Sequence, residues 1–356
     1  MVAGMTAPAA PLLEVQGLSK SFDVTRGIFL RKVGEIKAVN DVSFSVHSHE
    51  VLGLAGESGS GKTTIGRAVL RLIEPTQGRI MFDKVDVTAL DRPALRRFRR
   101  RMQMVFQDPL AALNPQMTIG EILSEPLILQ GIGRNAAERR DRAIELLQSV
   151  ALSADYLGRR PSDMSGGQRQ RIVIARALAV GPQFIVADEP VSALDVSIQA
   201  QIIALIEELK ERLGLAMLFI SHDLATMEYL SDRIAVLYLG RIMEIGPSTE
   251  LCSNPRHPYT EMLISAVPEP DPARRRRRIL PTGEIPSAAS PPSGCVFRTR
   301  CPYAMAACAA TVPPLRPVGE NHYSACLRDD VAAAKPKSLN PSGIAFSAPW
   351  STSTEN

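Results

Sequence analysis

Gly56-Glu57-Ser58-Gly59-Ser60-Gly61-Lys62-Thr63-Thr64 is the stretch on which the fold turns. It fits G-x-x-x-x-G-K-[ST]. A compact apolar run, Val51–Ala55, leads into it, and residues 65–72 after it carry helical spacing. A strand entering a glycine-rich loop that opens a helix is the setting in which this pattern cradles phosphate. Glycines let the backbone wrap closely, so that several N–H groups point inward, and the helix adds its positive N-terminal end. Lys62 is placed to reach the β- and γ-phosphates of a nucleotide, and the Thr63 hydroxyl to ligate Mg²⁺. The competing reading, a chance glycine-rich turn, does not explain why a strand and a helix flank it.

Working outward, residues 13–250 read as short apolar strands alternating with helices. Residues 103–106, 184–187 and 216–220 are each about as long as a strand buried on both faces. Such alternation predicts an α/β fold with a helix-covered parallel sheet. Residues 110–180 differ: 119–130, 135–151 and 167–180 look helical with no strand between them, which predicts an inserted helical subdomain. Residues 198–214 form a further amphipathic helix, with Ile202, Leu205, Ile206, Leu209 and Leu213 on one face. Residues 268–292, rich in Pro, Arg and Ser, read as a linker, and a small cysteine-containing segment follows. The first eleven residues read as a disordered leader, without the basic residue of a secretory signal, and the Ala-, Pro- and Ser-rich end is expected to be disordered.

The chain has 356 residues, 45% of them hydrophobic, and a net charge of +4. No apolar run approaches the roughly 20 residues that cross a bilayer. The basic residues are local, at 96–101 and 274–278, and read as solvated surface rather than a nucleic-acid footprint. Five cysteines in a chain expected to stay inside the cell argue against disulfides.

Phe184-Ile185-Val186-Ala187-Asp188-Glu189 is an apolar strand ending in two acids, which puts carboxylates at the carboxyl edge of the sheet, where α/β proteins bind ligands. Asp188 would hold the Mg²⁺ shell, and Glu189 would orient and polarise the attacking water. Such a pair alone is common; beside a phosphate loop it is specific.

Four further motifs stand in order. Met164-Ser165-Gly166-Gly167-Gln168 resembles the signature loop of ABC-type ATPases, with Met where Leu is usual. Gln107 resembles the Q-loop glutamine, Ser192-Ala193-Leu194-Asp195 the D-loop, and His222 in Ser221-His222-Asp223 the switch histidine. The resemblance implies a P-loop NTPase of ABC type, with the ATPase domain at 12–255 and its helical subdomain at about 108–180. It implies that Glu189, His222 and Gln107 act in hydrolysis, with Gln107 also near the Mg²⁺. It implies that two such domains dock head to tail, so that Ser165, Gly166, Gly167, Gln168 and Asp195 serve a partner's ATP. Phe22 matches the aromatic position that stacks on adenine, where Tyr is more usual; the alternative is a core aromatic on an early strand.

The resemblance narrows to the oligopeptide/dipeptide and nickel importers. An insertion at 25–36 carries it, as do Pro190-Val191-Ser192-Ala193-Leu194-Asp195-Val196-Ser197 and Asn254-Pro255-Arg256-His257-Pro258-Tyr259-Thr260. It implies a second ATPase subunit, two membrane permeases and an extracytoplasmic solute-binding protein. It also implies a peripheral place on the cytoplasmic face of the inner membrane, peptide as cargo, and no nucleic acid. Residues 108–114 would form the lip of a groove that receives a permease helix. A soluble ABC ATPase acting on nucleic acid or ribosomes is the alternative; such proteins usually carry two ATPase domains or a long coiled coil, and this chain has one motif set and no sustained heptads. A P-loop kinase would lack the signature loop.

Cys295, Cys301, Cys308 and Cys326 lie in the extension at 256–328, before the tail at 329–356. A segment this small is expected to need a cross-link or metal. Zinc prefers closer pairs, whereas four spaced thiolates suit a [4Fe–4S] cluster. The resembling family has this cysteine pattern, some members with such a cluster. Zinc, or thiols without metal, are the alternatives. Cys252 reads as an ordinary helix residue.

Overall fold

The computed structural model describes residues 10–26, 31–267, 279 and 283–328. The leader at 1–9, most of the expected linker and the tail from 329 lie outside them.

Val51–Ala55 (β3) is buried at every position. Its side chains alternate between two cores: Leu52 and Leu54 face one, Val51 and Ala55 the other. That is what a central strand of a covered sheet requires. Phe184–Asp188 (β7) and Ala216–Ile220 (β8) share this pattern, and Met102–Val105 (β6) lies beyond β7 at the edge. With Arg233–Tyr238 (β9), these strands run parallel in the order β9-β3-β8-β7-β6.

The expected alternation fails on both sides of β3 in the sequence. Leu13–Arg26 (β1), Arg31–Val46 (β2), Gln77–Phe82 (β4) and Val85–Asp86 (β5) form a separate antiparallel sheet in the order β2-β1-β4-β5. The reason is visible in the residues. Leu13 and Val15, and Val42, Phe44 and Val46, alternate with polar neighbours, so these strands have only one apolar face. That face packs on the first core, together with Ile65, Ala68 and Val69 of Lys62–Val69 (α1).

The helices follow in chain order. Arg92–Phe98 (α2) and the single turn Pro109–Ala112 (α3) precede the helical subdomain of Ile119–Leu129 (α4), Ala136–Ser149 (α5) and Gly166–Leu178 (α6). The α4 helix begins at a capping box between Thr118 and Glu121, and α5 at Asn135. Val196–Leu213 (α7) ends at Gly214 in the left-handed region, and Leu224–Leu230 (α8) follows β8. No strand interrupts residues 106–183, as expected of the inserted subdomain. No helix among the described residues is long and apolar enough to cross a membrane.

The end of the chain is built into the main sheet. Arg241–Pro247 (β10) pairs antiparallel with β9, Ser248–Ser253 (α9) and Pro258–Ser265 (α10) follow, and Ala307–Ala310 (α11) precedes a last hairpin. That hairpin, Arg316–Gly319 (β11) and His322–Ser324 (β12), extends the sheet beyond β10 to give the edge order β11-β12-β10-β9. Its seam is polar and buried. His322 Nε2 lies 2.7 Å from Glu244 Oε1, both side chains being fully buried. Glu244 also accepts the backbone N–H groups of Arg256 and His257 at 2.7 and 2.9 Å.

The expectation that the cysteine segment needs a metal or cross-link to have a core is thereby corrected. Cys295, Val296, Phe297 and Cys308 belong to the second core of the ATPase domain itself. The segment shares a core that is already built.

The basic run at 96–101 is stitched to the protein at its end. Arg99 donates to the Arg71 carbonyl at 2.6 Å, Arg100 to the Val180 carbonyl at 3.1 Å, and Arg101 to Gln183 at 2.7 Å. The second run, at 274–278, lies outside the described residues.

Candidate functional site

At the carboxyl edge of β3 the chain turns through the glycine-rich loop into α1. Gly56 starts the turn with φ +146°, and a Cβ there would stand 2.3 Å from the Leu237 carbonyl oxygen, so only glycine passes this point. Gly61 caps α1 without a side chain, which leaves the first N–H groups of the helix facing outward. The Lys62 ammonium bends back over the loop, donating to the carbonyls of Gly56 and Glu57 at 2.7 and 2.9 Å. Burial lowers its pKa, while Glu189, Asp188 and Glu57 pull the other way.

Residues 58–64 of this loop line a cavity of about 700 Å³, together with Ala38, Gln107, Glu189 and His222. The cavity thus joins residues more than 160 positions apart. Gln107 Nε2 donates to Glu189 Oε2 at 2.8 Å, and His222 Nδ1 lies 3.6 Å from the same oxygen. Glu189 has a left-handed backbone, φ +45°, and its N–H donates to the Ile220 carbonyl at 2.9 Å. A non-glycine residue there is costly and is found where a side chain must be aimed. Here the aim turns the carboxylate off the strand end toward the loop.

One step back, the Thr63 hydroxyl donates to Asp188 Oδ1 at 2.9 Å. Burial pushes the Asp188 carboxyl up. A buried carboxylate beside a hydroxyl, with the Gln107 amide on the same cavity, is a hard-oxygen donor set that fits Mg²⁺. The cation would reverse the penalty that burial places on the charge of Asp188.

The structure does not bring every expected residue to this cavity. Phe22 projects from β1, 43% exposed, with the Lys20 ammonium 5.1 Å from its ring centroid, and does not line it. Ser165, Gly166, Gly167 and Gln168 are absent from the lining too. They open α6, where Ser165 and Gln168 cap each other at 3.3 and 3.0 Å and Gln168 donates to Tyr156 Oη at 2.9 Å. A Cβ on Gly167 would meet Ile198 Cγ2 at 2.6 Å, so α6 and α7 approach through this glycine. Asp195 stands at the exposed start of α7, in a turn held by Gln199, which donates to the carbonyls of Val191 and Leu194. The signature loop and Asp195 therefore lie outside the cavity that the chain's own phosphate loop lines, with Ser165 and Asp195 exposed.

Sequence reasoning passed over three contributors: Ala38 in the lining, and Tyr259 and Arg300, which hold the loop from behind. Tyr259 Oη accepts the Glu57 N–H at 2.9 Å, and the Arg300 guanidinium grips the Glu57 carboxylate. Tyr259 lies within the motif Asn254-Pro255-Arg256-His257-Pro258-Tyr259-Thr260, yet no local signal in that motif points to residue 57.

The ABC transporter family model matches residues 39–192, and that of the oligopeptide/dipeptide transporter C-terminal region matches 243–308. This chain belongs to the ABC transporter family. A Brucella ovis protein named for peptide import and ATP binding is 59% identical to this ABC subunit over 321 residues, 90% of this chain and 99% of the relative. The oligopeptide transport ATP-binding protein AppF of Bacillus subtilis is 49% identical over 88% of this chain and 96% of its own. Among solved structures, a dimeric ATP-binding cassette in a post-hydrolysis state with ADP and phosphate is 30% identical. It aligns with a TM-score of 0.59 over 66% of this chain and 98% of its own.

The iron–sulfur expectation finds no support in the geometry. Among the described residues no group of three or more His, Cys, Asp or Glu side chains is arranged to hold a metal ion. Cys295, Cys301, Cys308 and Cys326 are free thiols, near enough that the other three each raise the pKa of Cys295. Burial is the main cause of the shift, pushing Cys295 to about 11 and raising Cys301 and Cys326. Cys252 is buried within α9, its thiol pushed up to about 12 by the same desolvation.

Proposed function

We propose that this chain is the ATP-hydrolysing subunit of an ABC importer, and that its cargo is peptide. The observation that carries the reading is the single cavity uniting the phosphate loop with Gln107, Glu189 and His222. Residues 58–64 hold the triphosphate, Lys62 turning from the loop carbonyls to the β- and γ-phosphates. Thr63 and Asp188, with Gln107, would hold Mg²⁺, which would supply charge neutralisation at the phosphates when bound. Glu189 accepts a hydrogen bond from the attacking water and polarises it; His222, beside the same carboxylate, contacts the γ-phosphate side. Phe22, exposed near the end of β1, stacks on adenine.

The position of Ser165, Gly166, Gly167, Gln168 and Asp195 outside this cavity supports a head-to-tail partner. Two ATPase subunits, alike or different, would then each lend a signature loop to the other's phosphate loop. Residues 110–115 with Met117, Ile122, Glu125 and Arg176 line a second cavity of about 370 Å³, beside the lip expected at 108–114. This supports a permease helix seated there; in the proposed complex two permeases and a solute-binding protein join the ATPase subunits, which sit peripherally on the inner membrane. The match of the transporter C-terminal region and the names of the relatives favour this over a soluble ATPase acting on nucleic acid or ribosomes. Domain limits of 12–255 and 256–328 divide motor from extension.

The [4Fe–4S] reading of Cys295, Cys301, Cys308 and Cys326 rests on cysteine spacing and resemblance and takes no step in this mechanism. Iron and zinc analysis after purification without oxygen decides it; colourless, metal-free protein removes it.

The test of function is purification from detergent-solubilised membranes. Two permeases with ATPase activity that rises on adding peptide-loaded binding protein are expected. Recovery of ribosomes or DNA without permeases refutes the importer.

A further inference from the structure

We infer that Arg300 is a positioning residue for the phosphate loop, acting through Glu57, so that the C-terminal segment is a working part of the nucleotide site. Glu57 is the second residue of the loop, and its carboxylate faces away from the cavity. Arg300 Nη1 and Nη2 donate to its two oxygens at 2.6 and 3.0 Å across 243 positions of sequence. Two parallel charge-assisted bonds fix orientation as well as distance. Arg300 is only 4% exposed. Its side chain lies against Tyr238, whose hydroxyl accepts from Nη1 at 3.4 Å, and the Glu57 carboxylate keeps the guanidinium charged.

The support behind Arg300 is rigid. Its backbone N–H closes a turn onto the Phe297 carbonyl at 3.0 Å. The Phe297 ring packs edge-on to Tyr238 and tilted against Tyr259, at 5.3 and 5.2 Å between centroids. Tyr259 in turn accepts the Glu57 backbone N–H. The loop residue is therefore held by side chain and main chain at once, both times from the C-terminal segment, while Lys62 binds the Glu57 carbonyl from the cavity side.

Two physical consequences follow. A loop with glycines at 56, 59 and 61 is costly to order, and a clamp that orders it beforehand lowers the cost of binding. Glu57 is also an anion next to a site for polyphosphate. Paired with Arg300 and turned outward, its charge is cancelled; released, it repels the ligand.

The inference rests on the ATP-site reading, and the experiment separates the two. ATP affinity by equilibrium fluorescence, KM, kcat and the nucleotide-free melting temperature are measured for the full chain and for Arg300→Ala, Glu57→Gln and the double variant. Arg300→Ala is expected to raise Kd and KM roughly tenfold, the equivalent of about 1.4 kcal/mol, with kcat changed less than about threefold. The double variant, lacking the stranded carboxylate, is expected to recover most of the affinity. Arg300→Ala that binds ATP within about twofold of native at a native melting temperature overturns the inference, as does a double variant no better than the single. Should Arg300→Ala not fold, Arg300→Lys, which keeps charge but loses the fork, is expected to bind roughly threefold more weakly; native affinity there is equally fatal. Native protein that binds no ATP refutes instead the ATP-site reading.

Discussion

Replacing Glu189 by Gln separates binding from chemistry. The carboxylate Oε2 accepts from Gln107 Nε2 at 2.8 Å and faces His222 at 3.6 Å. Glutamine has the same shape and can turn its carbonyl oxygen toward Gln107, so that one hydrogen bond survives in neutral form. The loss is about 0.5–1.5 kcal/mol of positioning, which bounds the change in ATP affinity at about tenfold. None of the direct phosphate ligands at 58–64 is touched, and a negative charge near the triphosphate is removed, which favours binding. What disappears is the basic oxygen aimed by the left-handed backbone at residue 189. A positioned general base contributes about 10²–10⁴-fold, or ~3–5.5 kcal/mol of barrier. Turnover should therefore fall at least about a hundredfold while ATP still binds. The assay pairs steady-state phosphate release by the assembled transporter with equilibrium nucleotide binding to the same preparation. Turnover within tenfold of native, or parallel loss of binding and turnover, would refute Glu189 as the group that activates water.

Lys62→Ala should instead abolish tight binding. It removes charge-assisted bonds worth about 1.5–3 kcal/mol, a Kd increase of roughly tenfold to a hundredfold, read by nucleotide titration. Gly66→Ala tests the packing of α1 on the sheet: a Cβ there would lie 2.8 Å from Val186 Cγ1 and 3.0 Å from Ile220 Cδ1. Overpacking of this kind costs about 1–3 kcal/mol, visible as a lower denaturation midpoint. His257 supplies a pH test. Complete burial lowers its pKa to about 3, from 6.5 in the unfolded chain. The unfolded state therefore takes up the proton first, so this contribution is present above pH 6.5 and is lost as pH falls toward 3. At pH about 5 the native protein should lose ~2 kcal/mol relative to neutral pH. His257→Asn, which can still cap the Tyr259 N–H, should lose that much less; equal pH dependence in urea melts would count against the assignment.

The catalytic half of the site was legible because each part is a short local pattern with a physical purpose. A phosphate loop needs its glycines and lysine consecutively, and a strand-end acid must follow its apolar run. Residues 56–64, 188–189, 107 and 222 could thus be named one by one, and the structure gathers them. The helical subdomain was legible for a similar reason: its helices carry 3.6-residue spacing over two turns or more, with caps at Thr118, Asn135 and Ser165. The antiparallel sheet was present in the alternation of β1 and β2, but the apolar runs around the phosphate loop drew the reading toward parallel strands.

The clamp on the loop had no such local mark. Glu57, Tyr259 and Arg300 are ordinary residues in their own neighbourhoods, and the latter two meet Glu57 across 202 and 243 positions of sequence. A side-chain contact between distant segments leaves no periodicity to read, because its geometry exists only after the sheet has formed. The cysteine segment teaches the same lesson in reverse. By itself it has too few apolar residues for a core, and the sequence accordingly predicted a metal; in the folded chain its Cys295, Val296, Phe297 and Cys308 lie in the core of the domain. The sequence alone determined the chemistry of nucleotide binding, since that is written in consecutive residues. Tertiary structure decided what braces it, since burial and long-range pairing belong to the whole fold.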